Sequence, residues 1–234
     1  MDSIRLMGTT QLTAAGVGAG HEVVLPAFGG AEVAEAVREL GARPVCADVD
    51  PASFCLDAEA VEAVVTERTA AIVPVHLFGQ AADMAGLAKV AQRRGARLVE
   101  WEPRPRTDSV DAVRRRQHAA YLARRLNGVV IPGARREVEH AYTEYVVRVP
   151  GNGRPDRDAF KRALRARGVE CHVPVKAPVH WLPGFRADVH LPAAEKAAEE
   201  CLALPLSSAM SKRELHQVVS ACNALGGLMH ERAS

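Results

Sequence analysis

Short apolar runs alternate with amphipathic stretches through the first hundred residues. Four short runs are rich in apolar residues, which is typical of strands buried on both faces of a sheet: 22–26, 44–49, 70–77 and 97–101. The stretches between them repeat apolar residues every three or four positions and predict helices over 31–40, 57–66 and 83–94. Repeated strand–helix–strand units predict an α/β layer of about four parallel strands covered by helices.

The second half of the chain has a different pattern. A proline-rich, charged segment over 103–108 precedes a basic helix at 110–126. Alternation over 142–149 predicts a half-exposed strand, and 169–175 predicts another. Further helices are expected over 156–167, 193–201 and 211–225. We therefore expect a reduced large α/β domain over 1–108 and, over 109–234, a linking helix with a small C-terminal α+β domain.

Composition narrows the class of protein. The chain is 48% hydrophobic and 25% charged with a formal net charge of +2, which argues against a dedicated nucleic-acid binder. No segment has the length of a membrane-spanning helix, and the odd count of five cysteines fits reduced thiols. We expect a cytoplasmic protein with neither a nucleic acid nor a membrane as partner.

Several short sequence motifs occur in an order that is typical of one protein family. They are GVGAGHEVVLP, ELGARPVCADVDP, TAAIVPVHLFGQAADM and ARLVE in the first half, and YTEYVVRVP and RALRARGVECHVPVKAPVH in the second. With them the sequence resembles the DegT/DnrJ/EryC1/StrS family of sugar aminotransferases, which depend on pyridoxal phosphate (PLP). The resemblance implies a truncated PLP-transferase fold of type I and, as for other members, a homodimer acting on nucleotide-linked keto sugars.

The block that should carry the Schiff-base lysine is absent. The resemblance places that lysine between the strand ending at Glu100 and the linking helix, but only ten residues separate Glu100 from Asp111. No lysine lies between Lys89 and Lys161. The carboxylate that would pair with the pyridine nitrogen is replaced by Trp101.

Other cofactor contacts implied by the resemblance have also changed. Gly30 occupies the position of the aromatic residue that would stack on PLP, and the phosphate loop is reduced to Gly8 and Thr9. We therefore expect no cofactor, and any PLP binding should be weak, as an aldehyde adduct to an amine without turnover, with Gly8 and Thr9 as a vestigial phosphate loop.

Ligands of parallel α/β sheets bind at the carboxyl ends of the strands. His76, Glu100 and Glu102 lie at the carboxyl ends of two predicted strands and are the candidate acid–base groups. His76 has a second interpretation as a structural imidazole. A ligand cleft would be lined by Phe28, Trp101, Lys176 and His180. The cysteines and histidines lack the spacing of a metal site, so no metal is expected.

Three functional hypotheses follow. In the first, the chain is a degenerate, non-transaminating homologue that serves as a partner or regulatory subunit of a full-length aminotransferase paralogue, or binds a sugar-like metabolite. In the second, it is a PLP-independent enzyme of secondary metabolism that uses the vacated cleft. In the third, it is a residual PLP-dependent aminotransferase. Loss of the middle block should expose a sheet edge, which predicts a homo- or hetero-oligomer.

Overall fold

Residues 2–131, 133, 139–151 and 156–230 are described by a computed structural model of the chain. The chain forms two compact units. The first comprises Met1–Leu77, Ala81–Arg104 and Ala177–Ala198, and the second comprises Phe78–Gln80, Pro105–Lys176 and Glu199–Ser234.

A four-stranded parallel sheet is the centre of the first unit, which confirms the predicted α/β layer. Its strands are β1 (Glu22–Pro26), β2 (Arg43–Ala47), β3 (Thr69–Ile72) and β4 (Arg97–Leu98). Their order across the sheet is β2-β1-β3-β4, and every neighbouring pair is parallel. All five residues of β1 are buried, as the apolar run predicts for a central strand.

Helices cover both faces of this sheet. Val23 and Leu25 of β1 pack in one apolar cluster with residues of α1 (Asp2–Ala14) and α2 (Ala31–Glu39). Val24 points to the opposite face and packs with residues of α3 (Ala58–Val64) and α4 (Met84–Arg94). Successive side chains of a strand alternate between faces, so one short strand contributes to both cores.

The ends of two of these helices follow from local sequence. The Asp57 carboxylate accepts a hydrogen bond from the Ala60 N–H at 2.9 Å, and Asp83 accepts one from Gly86 at 3.0 Å. Both are N-caps that satisfy backbone donors at a helix start. Gly95 ends α4 in the left-handed conformation, with φ of 71°.

The second unit contains a two-stranded antiparallel sheet and three helices in the part of the chain that is described. The strands are β5 (Tyr145–Arg148) and β6 (Cys201–Leu204). The helices are α5 (Val110–Ala123), α6 (Asp156–Arg165) and α8 (Lys212–His230). Tyr145, Leu202 and Leu164 lie in their shared apolar core.

The prediction of a strand over 169–175 is wrong. Only an isolated bridge joins His172 to Ala203, on the edge of β6 that does not face β5, and Pro174 has no N–H with which to continue a ladder. The sequence reading also missed β6. It begins at Cys201, directly after α7 (Pro192–Glu200), with no turn residue to mark the change of structure.

The predicted domain division placed residues 177–198 in the C-terminal domain. In the structure they pack with the first unit instead. The Val179 N–H, in a 3-10 turn at Val179–Trp181, donates to the Ala27 carbonyl at 2.7 Å. The Asp48 carboxylate accepts from the backbone N–H groups of Ala193 and Ala194 at 3.1 and 2.8 Å. These bonds tie the segment to the sheet of the first unit.

Among the described residues, no helix has both the length and the apolar character needed to cross a membrane.

Candidate functional site

The carboxyl ends of the four strands lie at one edge of the first unit's sheet. Ala27 and Phe28 follow β1, Asp48 follows β2, and the loop after β3 reaches His76. Glu100, Trp101 and Glu102 come shortly after β4. Parallel strands therefore bring most of the predicted site residues to the same edge.

His76 and Glu100 are brought together by the adjacent strands β3 and β4. The side chain of His76 is 1% exposed, and its Nε2 lies 3.7 Å from a Glu100 carboxylate oxygen, beyond hydrogen-bond distance. Its Nδ1 accepts a 3.1 Å hydrogen bond from the Ala82 N–H. An imidazole that accepts at Nδ1 carries its proton at Nε2, so the N–H is directed toward Glu100 without a bonded partner in the described structure.

Burial opposes protonation of His76. Burial lowers the pKa of His76, and the nearby Glu100 offsets that effect only in part. Burial alone would raise the pKa of Glu100, but hydrogen bonding and attraction from Arg104 outweigh it and hold that pKa below its usual range. The pair therefore consists of a neutral imidazole and an ionised carboxylate.

Glu102 is half-buried and has the opposite tendency. Burial is the largest cause that raises the pKa of Glu102, and repulsion from Glu32 in the first turn of α2 raises it further. A carboxyl group with these surroundings retains its proton more readily than an exposed one, which suits a general acid. The pKa values of these two carboxyl groups, which lie within three residues, are thus shifted in opposite directions.

Phe28 and Trp101 do not line a cleft within the first unit. Phe28 is completely buried, and its ring centroid lies 5.9 Å from that of Phe54. Trp101 is 3% exposed and belongs to the apolar core beside α1. Both residues act as core packing, so the structure corrects their predicted role as ligand contacts.

Two further predicted cleft residues have other surroundings. His180 is fully buried, and its Nε2 lies 3.2 Å from a Glu195 carboxylate oxygen, which identifies a structural contact of the 177–198 segment. Lys176 is exposed and belongs to the second unit. No group of three or more potential metal-ligating side chains occurs among the described residues.

The vestigial phosphate loop is not a loop. Gly8 and Thr9 lie inside α1, whose helix runs from Asp2 to Ala14. Backbone N–H groups in a helix interior bond to carbonyls four residues earlier, so they are not available to an anion as those at a helix N-terminus are. The predicted role of Gly8 and Thr9 in phosphate binding is therefore not supported by this geometry.

Trp101 explains why glycine occupies position 8. A Cβ atom built on Gly8 would lie 2.4 Å from Cε3 and 2.5 Å from Cζ3 of Trp101, closer than carbon atoms approach. The indole therefore lies directly on the α1 backbone. It fills the place where the resemblance puts the cofactor's carboxylate partner and phosphate loop.

These residues do not fit bound PLP. Both lysines of the first unit, Lys89 on α4 and Lys196 on α7, are exposed. The indole of Trp101 has an N–H donor and no acceptor, so it cannot stabilise a protonated pyridine nitrogen. The groups at this edge of the sheet therefore supply neither a Schiff-base amine nor a pyridine partner nor a phosphate cradle.

Two features were missed by sequence reasoning. Asp48 bonds two backbone N–H groups at the start of α7, yet the sequence presents it only as part of an ordinary Asp-Val-Asp strand end. Four arginines, Arg38, Arg43, Arg68 and Arg186, line one cavity of the first unit. They come from distant parts of the chain, so no local pattern marks either feature.

The fold is that of known aminotransferases. The structure of DesV from S. venezuelae in complex with a ketimine intermediate superimposes with a TM-score of 0.85 at 21% identity, over 95% of this chain and 83% of that one. The aminotransferase TlmJ from Streptoalloteichus hindustanus gives a TM-score of 0.85 at 24% identity, over 97% of this chain and 85% of that one.

The chain belongs to the DegT/DnrJ/EryC1/StrS aminotransferase family, whose model matches residues 8–101 and 107–223. The match is interrupted at 102–106, between the large-domain strands and the linking helix. This is the place where the resemblance puts the lysine-bearing block.

Individual relatives contain residues that this chain does not match. A pleiotropic regulatory protein of Geobacillus stearothermophilus is 28% identical over an alignment of 299 residues, covering 89% of this chain and 79% of the relative. That alignment is longer than this 234-residue chain, so the relative contains residues without a counterpart here. An L-glutamine:2-deoxy-scyllo-inosose aminotransferase of Streptomyces fradiae is 51% identical over 89 residues, but these make up 38% of this chain and only 21% of the enzyme.

Proposed function

We propose that this chain is a non-transaminating member of its family that acts as a companion or regulatory subunit. The observation that carries the proposal is the packing of Trp101 on Gly8 within α1. Because of that contact, apolar side chains occupy the region where the family resemblance requires polar groups that bind the cofactor. Other residues could compensate for the loss of one residue. They could not compensate for both the missing lysine block and a filled cofactor site.

The companion role is supported by the sheet edge. Strand β4 has only two residues and pairs with β3 alone among the described strands. Natural sheets rarely leave an edge without protection, and a partner chain is one means of covering it. A relative of this chain is named a pleiotropic regulatory protein, and the alignment covers 89% of this chain and 79% of the relative.

Absence of amine transfer is tested with a relative's named substrates. The purified chain is incubated with PLP, L-glutamine and 2-deoxy-scyllo-inosose, and the aminated product is measured by mass spectrometry beside a full-length aminotransferase. We expect product no higher than in a protein-free sample. Product that accumulates over many turnovers would refute the non-transaminating role.

The companion role needs a separate test. The chain is mixed with a full-length aminotransferase paralogue from the same genome, and the mixture is analysed by light scattering after gel filtration. We expect a defined heteromeric species and a changed activity of the paralogue. Separate elution of the two chains with unchanged activity would contradict a companion role while leaving the first test unaffected.

A second candidate function is PLP-independent acid–base catalysis. It is favoured by the approach of His76 to Glu100 at 3.7 Å and by the raised pKa of Glu102. Metabolites of a host that expresses the wild-type chain are compared with those of a host that expresses the triple variant His76→Gln, Glu100→Gln, Glu102→Gln. A metabolite changed only by the wild type supports catalysis, and identical profiles exclude it.

A further inference from the structure

A cavity opens at the amino edge of the first unit's sheet, opposite the edge described above. Its volume is about 640 Å³, and its wall includes the first residues of β1 and β2 and the residue before β3. Residues 184–187 of the segment that precedes α7 form another part of the wall. Cavities of this size hold ligands as large as a nucleotide.

A buried carboxylate holds two guanidinium groups together at this cavity. Glu22 is 1% exposed. Its Oε1 lies 2.7 Å from Nη2 of Arg43 and 2.7 Å from Nη2 of Arg68. Its Oε2 accepts a 2.7 Å hydrogen bond from the Thr66 hydroxyl, which fixes the carboxylate. The arginine side chains remain 62% and 68% exposed, so they are accessible to a ligand although they contact Glu22.

A third guanidinium is fixed by different contacts. The Arg38 Cζ lies 4.7 Å from the centroid of the Phe185 ring, within the range of a cation–π contact. A Cβ atom on Gly184 would lie 2.7 Å from Arg38 Nη1, and Gly184 has a φ of 86°. The positive φ favours glycine at this position, and a larger residue would also displace the end of the Arg38 side chain.

The cavity has a strong excess of positive charge. Its described lining contains four arginines, including Arg186, and a single carboxylate, Glu22. The resulting excess of three positive charges exceeds the formal net charge of +2 for the whole chain. Neutralising Glu22 requires only one arginine, so this role does not explain why the others gather at the same cavity.

We propose that the amino-edge cavity binds a phosphate-bearing metabolite of about nucleotide size. Fixed guanidinium groups bind phosphate oxygens through paired, charge-assisted hydrogen bonds, and Phe185 offers an apolar face to the rest of the ligand. The proposal does not depend on the companion role or on the carboxyl-edge residues. Either could fail without affecting it.

The probes are pyrophosphate, adenosine 5′-monophosphate and uncharged adenosine. Their binding is measured by isothermal titration calorimetry at constant ionic strength, with sodium sulfate as the matched anion. We expect the wild-type chain to bind the two phosphate compounds and to give no signal with adenosine. No binding of either phosphate compound beyond that of sulfate would overturn the proposal.

Variants then assign the binding to this cavity. We expect the double variant Arg38→Ala, Arg186→Ala to weaken both phosphate compounds by at least about tenfold. The matched control Arg114→Ala removes an exposed arginine of α5, outside the cavity, and should leave binding unchanged. Equal affinities for wild type and the double variant would overturn the assignment.

A second variant separates position from charge. Gly184→Ala keeps every charge but displaces the Arg38 guanidinium, so we expect weaker phosphate binding by several-fold. Circular dichroism confirms that each variant is folded before titration. Unchanged affinity in folded Gly184→Ala would remove Arg38 from the site.

Discussion

The packing of Trp101 on Gly8 predicts that one substitution changes the sign of its effect with the background. In the wild type, Gly8→Ala places a methyl group where three Trp101 ring atoms lie within 2.9 Å. In the Trp101→Ala background those atoms are gone. Gly8→Ala should therefore destabilise the wild type and stabilise the Trp101→Ala variant.

The size of the effect follows from two opposing terms. Overpacking a core by one carbon costs about 1–3 kcal/mol, whereas alanine is favoured over glycine in a helix interior by about 1 kcal/mol. The net change for the wild type is thus a loss of up to about 2 kcal/mol, against a gain of about 1 kcal/mol when Trp101 is absent. The coupling between the two positions should be about 1–3 kcal/mol.

The assay is urea unfolding followed by circular dichroism for the wild type, both single variants and the double variant. Trp101→Ala alone should cost about 3–5 kcal/mol, a large share of the stability of a typical domain, so all samples contain a stabilising osmolyte. The chain provides its own control, because Trp181 is 45% exposed. Trp181→Ala should change the free energy of unfolding by less than about 1 kcal/mol.

Two results would refute this reasoning. If Gly8→Ala has the same effect in both backgrounds, Trp101 does not contact α1 at this position. If Trp101→Ala costs no more than Trp181→Ala, the indole is not part of the core.

Three other predictions concern the free energy of unfolding. Because burial and Glu32 raise the pKa of Glu102, the folded chain binds this proton more tightly than the unfolded chain, and stability falls as the pH rises above the usual value of 4.5. The free energy of unfolding of Glu102→Gln should therefore equal that of the wild type near pH 4 and exceed it toward neutral pH. Glu32→Gln should give a smaller gain. Urea unfolding measures these differences across this pH range, and a difference that does not change with pH would contradict the prediction. His76→Ala should lower the free energy of unfolding by about 1–3 kcal/mol because it leaves the buried Ala82 N–H without its acceptor. His76→Asn should lower it less. Equal losses for the two variants in thermal unfolding would show that His76 is not needed as this acceptor. Asp48→Ala should cost about 1–2 kcal/mol through loss of the α7 cap, and chemical denaturation should show a smaller loss for Asp48→Asn, which retains an acceptor.

The parallel sheet was predictable because its signals are local. Strand β1 occupies the predicted residues, and Asp57, Asp83 and Gly95 mark helix ends through bonds to nearby backbone groups. Strand β3 ends at Ile72, earlier than predicted, before Pro74, which has no N–H to donate to a ladder. The apolar run continues beyond that point, so hydrophobicity alone does not mark the strand end.

The site was only partly predictable. Adjacent parallel strands bring His76 toward Glu100, as their order along the chain suggests. The burial of Phe28 and Trp101 depends on partners such as Phe54 and Gly8, which are distant in sequence. The same holds for the arginine cavity, where tertiary packing alone places the residues together.

The central proposal is that this chain does not transaminate because its described residues do not fit PLP, and a PLP titration tests it most directly. Visible absorbance is recorded as PLP is added to the purified chain, and the mixture is reduced with borohydride and analysed by peptide mapping. The account predicts no saturable absorbance band, with any adducts scattered over several exposed lysines. A saturable band trapped on a single lysine, such as Lys176, would contradict the account and establish a relocated active site.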